Sequence, residues 1–189
     1  MMRKLTKLYG QFAASTQGVA AIEFAMILPV LATLFLASFD GGRAITIYMK
    51  VRSSTYALAA ITNQYSTIQS SDMTSITGAT AAVMAPYSSA GAAVTITQIT
   101  ISNKGKATVS WSYSQGGTAL AQGSSVTVPA ALVVDSTYLI FAQVSYTFTP
   151  LFGFVHAGSI TFSDNLYVTP RVSNCINYPP QSVTTCVMG

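Results

Sequence analysis

The chain has 189 residues and a formal net charge of +4, with 50% hydrophobic residues and only 7% charged residues. Ordinary soluble domains carry roughly 25% charged residues, so this composition excludes a typical cytosolic surface. The excess of positive charge forms no basic patch, because three of the nine basic residues lie near the N-terminus and three cluster at Arg43, Lys50 and Arg52. We therefore expect no nucleic-acid partner. The length accommodates one membrane helix and one modest domain.

The N-terminal part of the chain combines a polar leader with a long apolar run. Residues 1–18 form the leader, whose basic residues are Arg3, Lys4 and Lys7. The run from Val19 to Phe39 contains no Lys, Arg or Asp. At about 1.5 Å per residue, a helix of this length reaches across a bilayer core of about 30 Å. We predict a transmembrane helix over residues 19–39, with a bend at Pro29.

Glu23 is the one acidic residue in this apolar run. A carboxylate in hydrocarbon costs on the order of a few kcal/mol, so it requires a partner. If a peptidase cuts between Gly18 and Val19, the new amino group of Val19 lies one helical turn from Glu23 on the same face. The two charges would then neutralise each other, and the same pairing between neighbouring copies would set the register of one helix against the next.

The segment Gly18-Val-Ala-Ala-Ile-Glu-Phe-Ala-Met-Ile-Leu-Pro29, together with the basic leader before it, resembles a type IV prepilin. More specifically, it resembles the TadE/TadG-like pseudopilins of tight-adherence (Tad, type IVc) pili. Asp40-Gly-Gly-Arg43, Tyr146-Thr-Phe-Thr-Pro150 and Thr169-Pro-Arg171 resemble later motifs of that family, with Phe148 in place of a second tyrosine.

The resemblance implies a processing step and a set of partners. It implies cleavage after Gly18 by a prepilin peptidase, pairing of Glu23 with the Val19 amine, and helix packing and shape supplied by Phe24 and Pro29. The partners would be that peptidase, other pilins or pseudopilins, the inner-membrane assembly platform and membrane lipid.

Residues 40–62 are predicted to extend the helix beyond the membrane. An apolar stripe from Ile45 to Ile61 fits helical spacing, although Gly41 and Gly42 weaken a helix at its start. Two interpretations stay open. The segment is either the outer half of a long pilin-like stalk with a glycine hinge, or an independent amphipathic helix packed under a sheet.

Residues 63–189 are predicted to form a periplasmic or extracellular α+β domain. A short helix is expected near Asp72 to Ala85, capped by Ser71 or Asp72 and stopped before Pro86. Four strands are expected at residues 94–101, 107–113, 138–147 and 159–168. The first two alternate apolar and polar residues around a turn at Asn103-Lys-Gly105, apart from one slip at Gln98-Ile99. This alternation predicts one wet face and one face covered by the stalk helix.

The expected fold class is therefore α+β. A single N-terminal transmembrane helix extends into a pilin-like stalk and packs on a four-stranded antiparallel sheet.

Two cysteines, Cys175 and Cys186, lie near the C-terminus. An even pair suits an oxidising compartment and a small disulfide loop, with two free structural thiols as the alternative. The single histidine, His156, offers little to a metal site, and the sequence contains no phosphate loop or nucleophile elbow. We expect no catalytic residue, metal, cofactor or small-molecule substrate.

The resemblance implies a minor pilin, pseudopilin or assembly protein of a bacterial Tad-type pilus, acting in pilus biogenesis, adherence and surface colonisation. The chain would cross the inner membrane once, with its C-terminal domain in the periplasm. An uncleaved bitopic anchor presenting an extracellular adhesin or envelope scaffold is the main alternative. A secretory signal is disfavoured because the apolar run is long and contains Glu23. A membrane-tethered hydrolase would have to rely on His156.

Overall fold

The computed structural model describes residues 17–152 and 158–181. The leader up to residue 16, His156 and Cys186 lie outside the described residues. The described chain forms two α-helices and four strands: α1 (Gln17–Thr62), α2 (Ser70–Met84), β1 (Ala92–Ile101), β2 (Ala107–Gln115), β3 (Thr137–Phe148) and β4 (Ile160–Val168). A long apolar N-terminal helix with a four-stranded antiparallel sheet confirms the predicted α+β class.

Helix α1 runs without interruption through Pro29 and through Gly41 and Gly42. Its first half is exposed, whereas Ile47, Val51 and Leu58 in its second half are buried. The two interpretations of residues 40–62 therefore combine: one continuous helix provides both the outer half of a long stalk and the cover of the sheet. The expected bend at Pro29 and the glycine hinge stay predictions.

Helix α2 begins at Ser70 with Gln69 as its N-cap, so the predicted cap at Ser71 or Asp72 is wrong. Asp72 acts from inside the first turn instead, where its Oδ2 accepts the Gln69 N–H at 2.9 Å. A carboxylate at the third helical position can reach back to the N-cap amide in this way. At the other end, the Lys50 ammonium group of α1 donates to the carbonyl oxygens of Val83 (2.9 Å) and Ala85 (2.6 Å).

The strands pair in the order β2-β1-β3-β4, and every neighbouring pair is antiparallel. The predicted slip at Gln98-Ile99 coincides with a bulge between β1 and β2, where Gln98 pairs with Trp111 and Ile99 pairs with Val109. Ser110 is the extra residue of β2. Because of the bulge, Trp111 lies on the same face of the sheet as its partner Gln98, and Val109 lies on the opposite face with its partner Ile99.

One face of the sheet packs on the helices, and its buried core includes Ile96 and Val144 of the sheet and Val51 of α1. The opposite face of the sheet is only partly exposed to solvent, which corrects the expectation that alternation would leave it fully exposed. Near the end of β1, a second buried cluster joins Ile99, Ile101, Ala107, Leu139 and Val128, packed by Val126 and Val133. The long connection between β2 and β3 therefore covers this part of the sheet.

The two ends of the sheet differ in their relation to α1. We call the end where β3 finishes at Phe148 and β4 begins at Ile160 the proximal end, because the chain after β3 contacts Asp40 of α1 there. The distal end is where Ile101 pairs with Thr137.

Candidate functional site

The predicted cleavage and pairing residues lie at the start of α1. Val19 and Glu23 are four residues apart in a continuous helix, and both are exposed. Phe24 is 59% exposed, and a Cβ placed on Gly18 would meet nothing within 4 Å. The helical spacing required for a Val19–Glu23 pair is therefore present, while cleavage and pairing themselves stay predictions.

The apolar half of α1 has the dimensions of a membrane span. Among the described residues, one helix, Gly18–Thr62, is long and apolar enough to cross a membrane by length and composition, and its most apolar window has no buried residue. The hydroxyl groups in this half bond within the helix: Thr33 Oγ1 donates to the Pro29 carbonyl and Ser38 Oγ to the Leu34 carbonyl, each at 2.7 Å. Such internal bonding satisfies polar groups where water is absent.

The main constellation of the structure joins the end of the apolar run to the chain after β3. Asp40 Oδ1 accepts the N–H of Leu151 at 3.2 Å, and Asp40 Oδ2 accepts the N–H of Phe152 at 3.1 Å. Arg43 Nη1 lies 3.7 Å from Asp40 Oδ1, and the Asp40 side chain is only 14% exposed. The Arg43 guanidinium also lies over the Phe148 ring, 5.6 Å from its centroid. We call the Asp40, Arg43, Leu151 and Phe152 contacts the junction clamp.

The local sequence explains why the clamp forms here. Strand β3 ends at Phe148, and Pro150 has no N–H and cannot continue a ladder. The amides of Leu151 and Phe152 therefore need acceptors from elsewhere. A carboxylate with two oxygens can accept both, and bonds to a charged acceptor are stronger than neutral ones.

Apolar side chains surround the clamp. The rings of Phe39 and Phe152 meet edge to face with centroids 6.0 Å apart. Phe39 remains 49% exposed, Phe152 43% and Leu151 64%. The clamp thus holds two large apolar side chains beside the last residue of the apolar run while leaving much of their surface uncovered.

The C-terminal segment is held against the sheet by buried polar contacts. Trp111 Nε1 donates to the Ile176 carbonyl at 2.8 Å, and the Ile176 N–H donates to Gln98 Oε1 at 2.6 Å. The Tyr178 ring lies 5.3 Å from that of Trp111, and burial raises the pKa of the Tyr178 hydroxyl. Cys175 is 1% exposed. Since Cys186 lies outside the described residues, the disulfide between them stays a prediction.

Residues 17–152 and 158–181 bring together no group of three or more His, Cys, Asp or Glu that could hold a metal ion. A groove of about 660 Å³ lies at the distal end, lined by hydroxyl-bearing residues such as Thr100, Ser136 and Tyr138. The described lining of this groove includes no charged side chain.

Comparison with known proteins supports the resemblance seen in the sequence. Residues 18–60 match the family model of TadE-like protein. The match covers Gly18, Glu23, Pro29, Asp40 and Arg43 and ends within the buried half of α1. The matched stretch covers 43 of the 189 residues. No curated protein and no solved structure matched the chain.

The sequence analysis identified both segments that meet at the junction clamp, but it did not predict that they are in contact. Asp40-Gly-Gly-Arg43 and the segment ending at Pro150 were each identified as motifs, more than a hundred residues apart. Leu151 and Phe152 act mainly through their backbone amides, which any residue except proline provides, so their identity carries little signal. The position of Asp40, directly after an apolar run, was the one available hint.

Proposed function

We propose that the protein is a membrane-inserted pseudopilin or pilus-assembly protein of a bacterial Tad-type pilus. The observation that carries the proposal is the TadE-like match over residues 18–60, which falls on a helix with an exposed apolar first half and a domain-bearing second half. In this proposal the chain is stored in the inner membrane, and the domain from residue 63 onward lies on the periplasmic side.

Cleavage after Gly18 would create the amino group of Val19, with which the Glu23 carboxylate is proposed to pair. Removal of residues 1–18 by a prepilin peptidase makes Val19 the first residue, one helical turn from the Glu23 carboxylate. The pair lowers the cost of holding the acid in hydrocarbon. Phe24 and the apolar residues up to Phe39 then supply contacts to other pilins and the assembly platform, while Pro29 shapes the helix.

The packing of the domain on α1 supports this role. The second half of α1 forms part of the core, and the junction clamp fixes the chain after β3 to the point where the apolar run ends. A displacement of the helix along its axis would therefore carry the domain with it. This coupling suits a subunit or assembly factor that is extracted from a membrane, and it requires no catalytic chemistry.

The first test is the N-terminal sequence and intact mass of the protein from membranes of its native host, with and without the prepilin peptidase. The proposal predicts a chain that starts at Val19 when the enzyme is present and an uncleaved chain when it is absent. An intact leader in both strains contradicts the proposal and favours the uncleaved bitopic anchor.

A second test separates insertion from assembly. Glu23→Ala is expected to leave the amount of protein in the membrane fraction unchanged and to reduce the yield of sheared pili. Asp135→Ala is the matched control, because it also removes an exposed carboxylate but lies in the connection before β3, outside the proposed contact surface of α1. Normal piliation by the Glu23→Ala strain would remove the assigned role of the carboxylate.

A further inference from the structure

Three large apolar side chains form an exposed surface at the proximal end of the domain. Phe39 of α1 and Leu151 and Phe152 of the chain after β3 are 49%, 64% and 43% exposed, and the rings of Phe39 and Phe152 are in contact. We call these three residues the proximal patch. The patch is continuous with the exposed apolar surface of residues 19–39 and is followed on α1 by the charged pair Asp40 and Arg43.

The position of the patch along α1 sets its depth relative to a bilayer. Phe39 is the last residue of a run that matches the thickness of the hydrocarbon core. Because the centroids of the Phe152 and Phe39 rings are 6.0 Å apart, the depths of the two rings differ by no more than that distance. That depth is the boundary between acyl chains and headgroups, where aromatic side chains are enriched in membrane proteins.

We propose that the proximal patch docks into the leaflet on the domain side of the membrane, with Leu151 and Phe152 inserted at the level of the upper acyl chains. The inference rests on the proposed membrane insertion of α1, and it adds a second lipid contact made by the folded domain. Because the domain and the second half of α1 share one core, this contact would limit tilting of the helix and the domain together relative to the bilayer.

The polar groups beside the patch are arranged in a way that permits this docking. Unsatisfied backbone N–H groups at a lipid surface are costly, and the amides of Leu151 and Phe152 both donate to Asp40. The Asp40 charge in turn faces Arg43 at 3.7 Å. The loop can thus present two apolar side chains to lipid while its backbone donors remain bonded to the protein.

Tryptophan fluorescence quenching by brominated lipid tests the docking directly. The full chain is reconstituted into phosphatidylcholine and phosphatidylglycerol vesicles whose acyl chains carry bromine near the headgroup. Phe152→Trp reports on the patch, Phe35→Trp on the proposed span and Tyr138→Trp on the distal end. The parent protein contains one tryptophan, the buried Trp111, and supplies the background. Leu151→Trp is a second patch reporter in case the first variant does not fold.

The proposal predicts that bromine quenches the emission added by Phe152→Trp or Leu151→Trp severalfold more strongly than that added by Tyr138→Trp, because interfacial rings lie within reach of the bromine atoms. If the patch reporters are no more quenched than Tyr138→Trp while Phe35→Trp is quenched, the docking is refuted and insertion of α1 stands. If Phe35→Trp is not quenched either, both the docking and the proposed membrane insertion are refuted.

Discussion

The junction clamp depends on one side chain, and replacing Asp40 by alanine removes it. The substitution deletes both acceptors of the Leu151 and Phe152 amides and the ionic partner of Arg43. Helix α1 has no need of the Asp40 side chain for its own backbone bonds, and the core residue Val51 lies about three helical turns further along α1. We therefore expect local opening of the chain after β3, with the fold retained.

The size of the effect follows from the geometry of the two bonds. A hydrogen bond to a charged acceptor contributes about 1.5–3 kcal/mol net when well formed. The bonds here are 3.1 and 3.2 Å long and the carboxylate is partly exposed, so we assign about 2 kcal/mol to the pair together. This corresponds to about a 30-fold increase in the equilibrium constant for local opening.

Hydrogen–deuterium exchange of the full chain in detergent measures that constant at the affected amides. We expect the amides of Leu151 and Phe152 to exchange about 30-fold faster in Asp40→Ala, and the amides of β1 to be unchanged. Asp40→Asn keeps one carbonyl acceptor without the charge and should give an intermediate rate. Asp135→Ala, at an exposed aspartate near the distal end, is the matched control. A change below about threefold at Leu151 and Phe152 would refute the assigned role of Asp40.

The remaining predictions concern the domain. Trp111→Phe deletes the donor to the buried Ile176 carbonyl and should lower the free energy of unfolding, measured by chemical denaturation in detergent, by about 1–3 kcal/mol. Lys50→Met deletes the ammonium group that bonds the last carbonyls of α2, and should cost about 1–2 kcal/mol in the same assay. Burial raises the pKa of Tyr178, so its stabilising contribution is complete below the unfolded-state value of about 10 and is lost as the pH rises toward the folded-state value. Tyr178→Phe should therefore lose less stability than the parent between pH 9 and pH 11, in thermal melts.

Each of these predictions has an outcome that contradicts it. Lys104→Met replaces an exposed lysine in the hairpin turn and should be nearly neutral, so an equal loss in both lysine variants would argue against the capping role of Lys50. A Trp111→Phe protein as stable as the parent would mean that the Ile176 carbonyl finds another donor. Parallel pH profiles for Tyr178→Phe and the parent would show that the tyrosine hydroxyl remains accessible to water.

The elements that sequence reasoning predicted well are those fixed by local pattern. The apolar run gave the helix over residues 19–39, and alternation gave β1 and β2, including the irregularity at Gln98-Ile99 that the structure explains as a bulge. Such features depend on neighbouring residues, so a single sequence contains the information. The cap of α2 was misplaced because Asp72 can serve as an N-cap or as the reciprocal third residue, and only the observed Gln69–Asp72 contact separates the two.

The features that sequence reasoning missed depend on distant parts of the chain. The cover over Ile99, Ile101 and Leu139 comes from residues between β2 and β3 that have no regular pattern. Likewise, the position of Ile176 is fixed by side chains of Gln98 and Trp111, which would be ordinary strand residues in any sheet. Backbone groups are the hydrogen-bond partners in both this contact and the junction clamp. Because almost every residue type carries these groups, the sequence does not indicate which residues will form the bonds.

The junction clamp gives a physical reason for two motifs that are far apart in the sequence. An acid directly after the apolar run and a proline two residues after β3 are each ordinary features, but in the fold the carboxylate of the acid accepts the two amides that follow the proline. Asp40 directly follows Phe39, the last residue of the apolar run. The chain after β3 is therefore bound to α1 at the point where the apolar run ends. In the proposed pseudopilin, a shift of Asp40 by one residue along α1 would turn the carboxylate about 100° away from the sheet and raise it about 1.5 Å. The spacing between Asp40 and the buried half of α1, which begins near Ile47, should therefore tolerate insertions less well than the connection between β2 and β3.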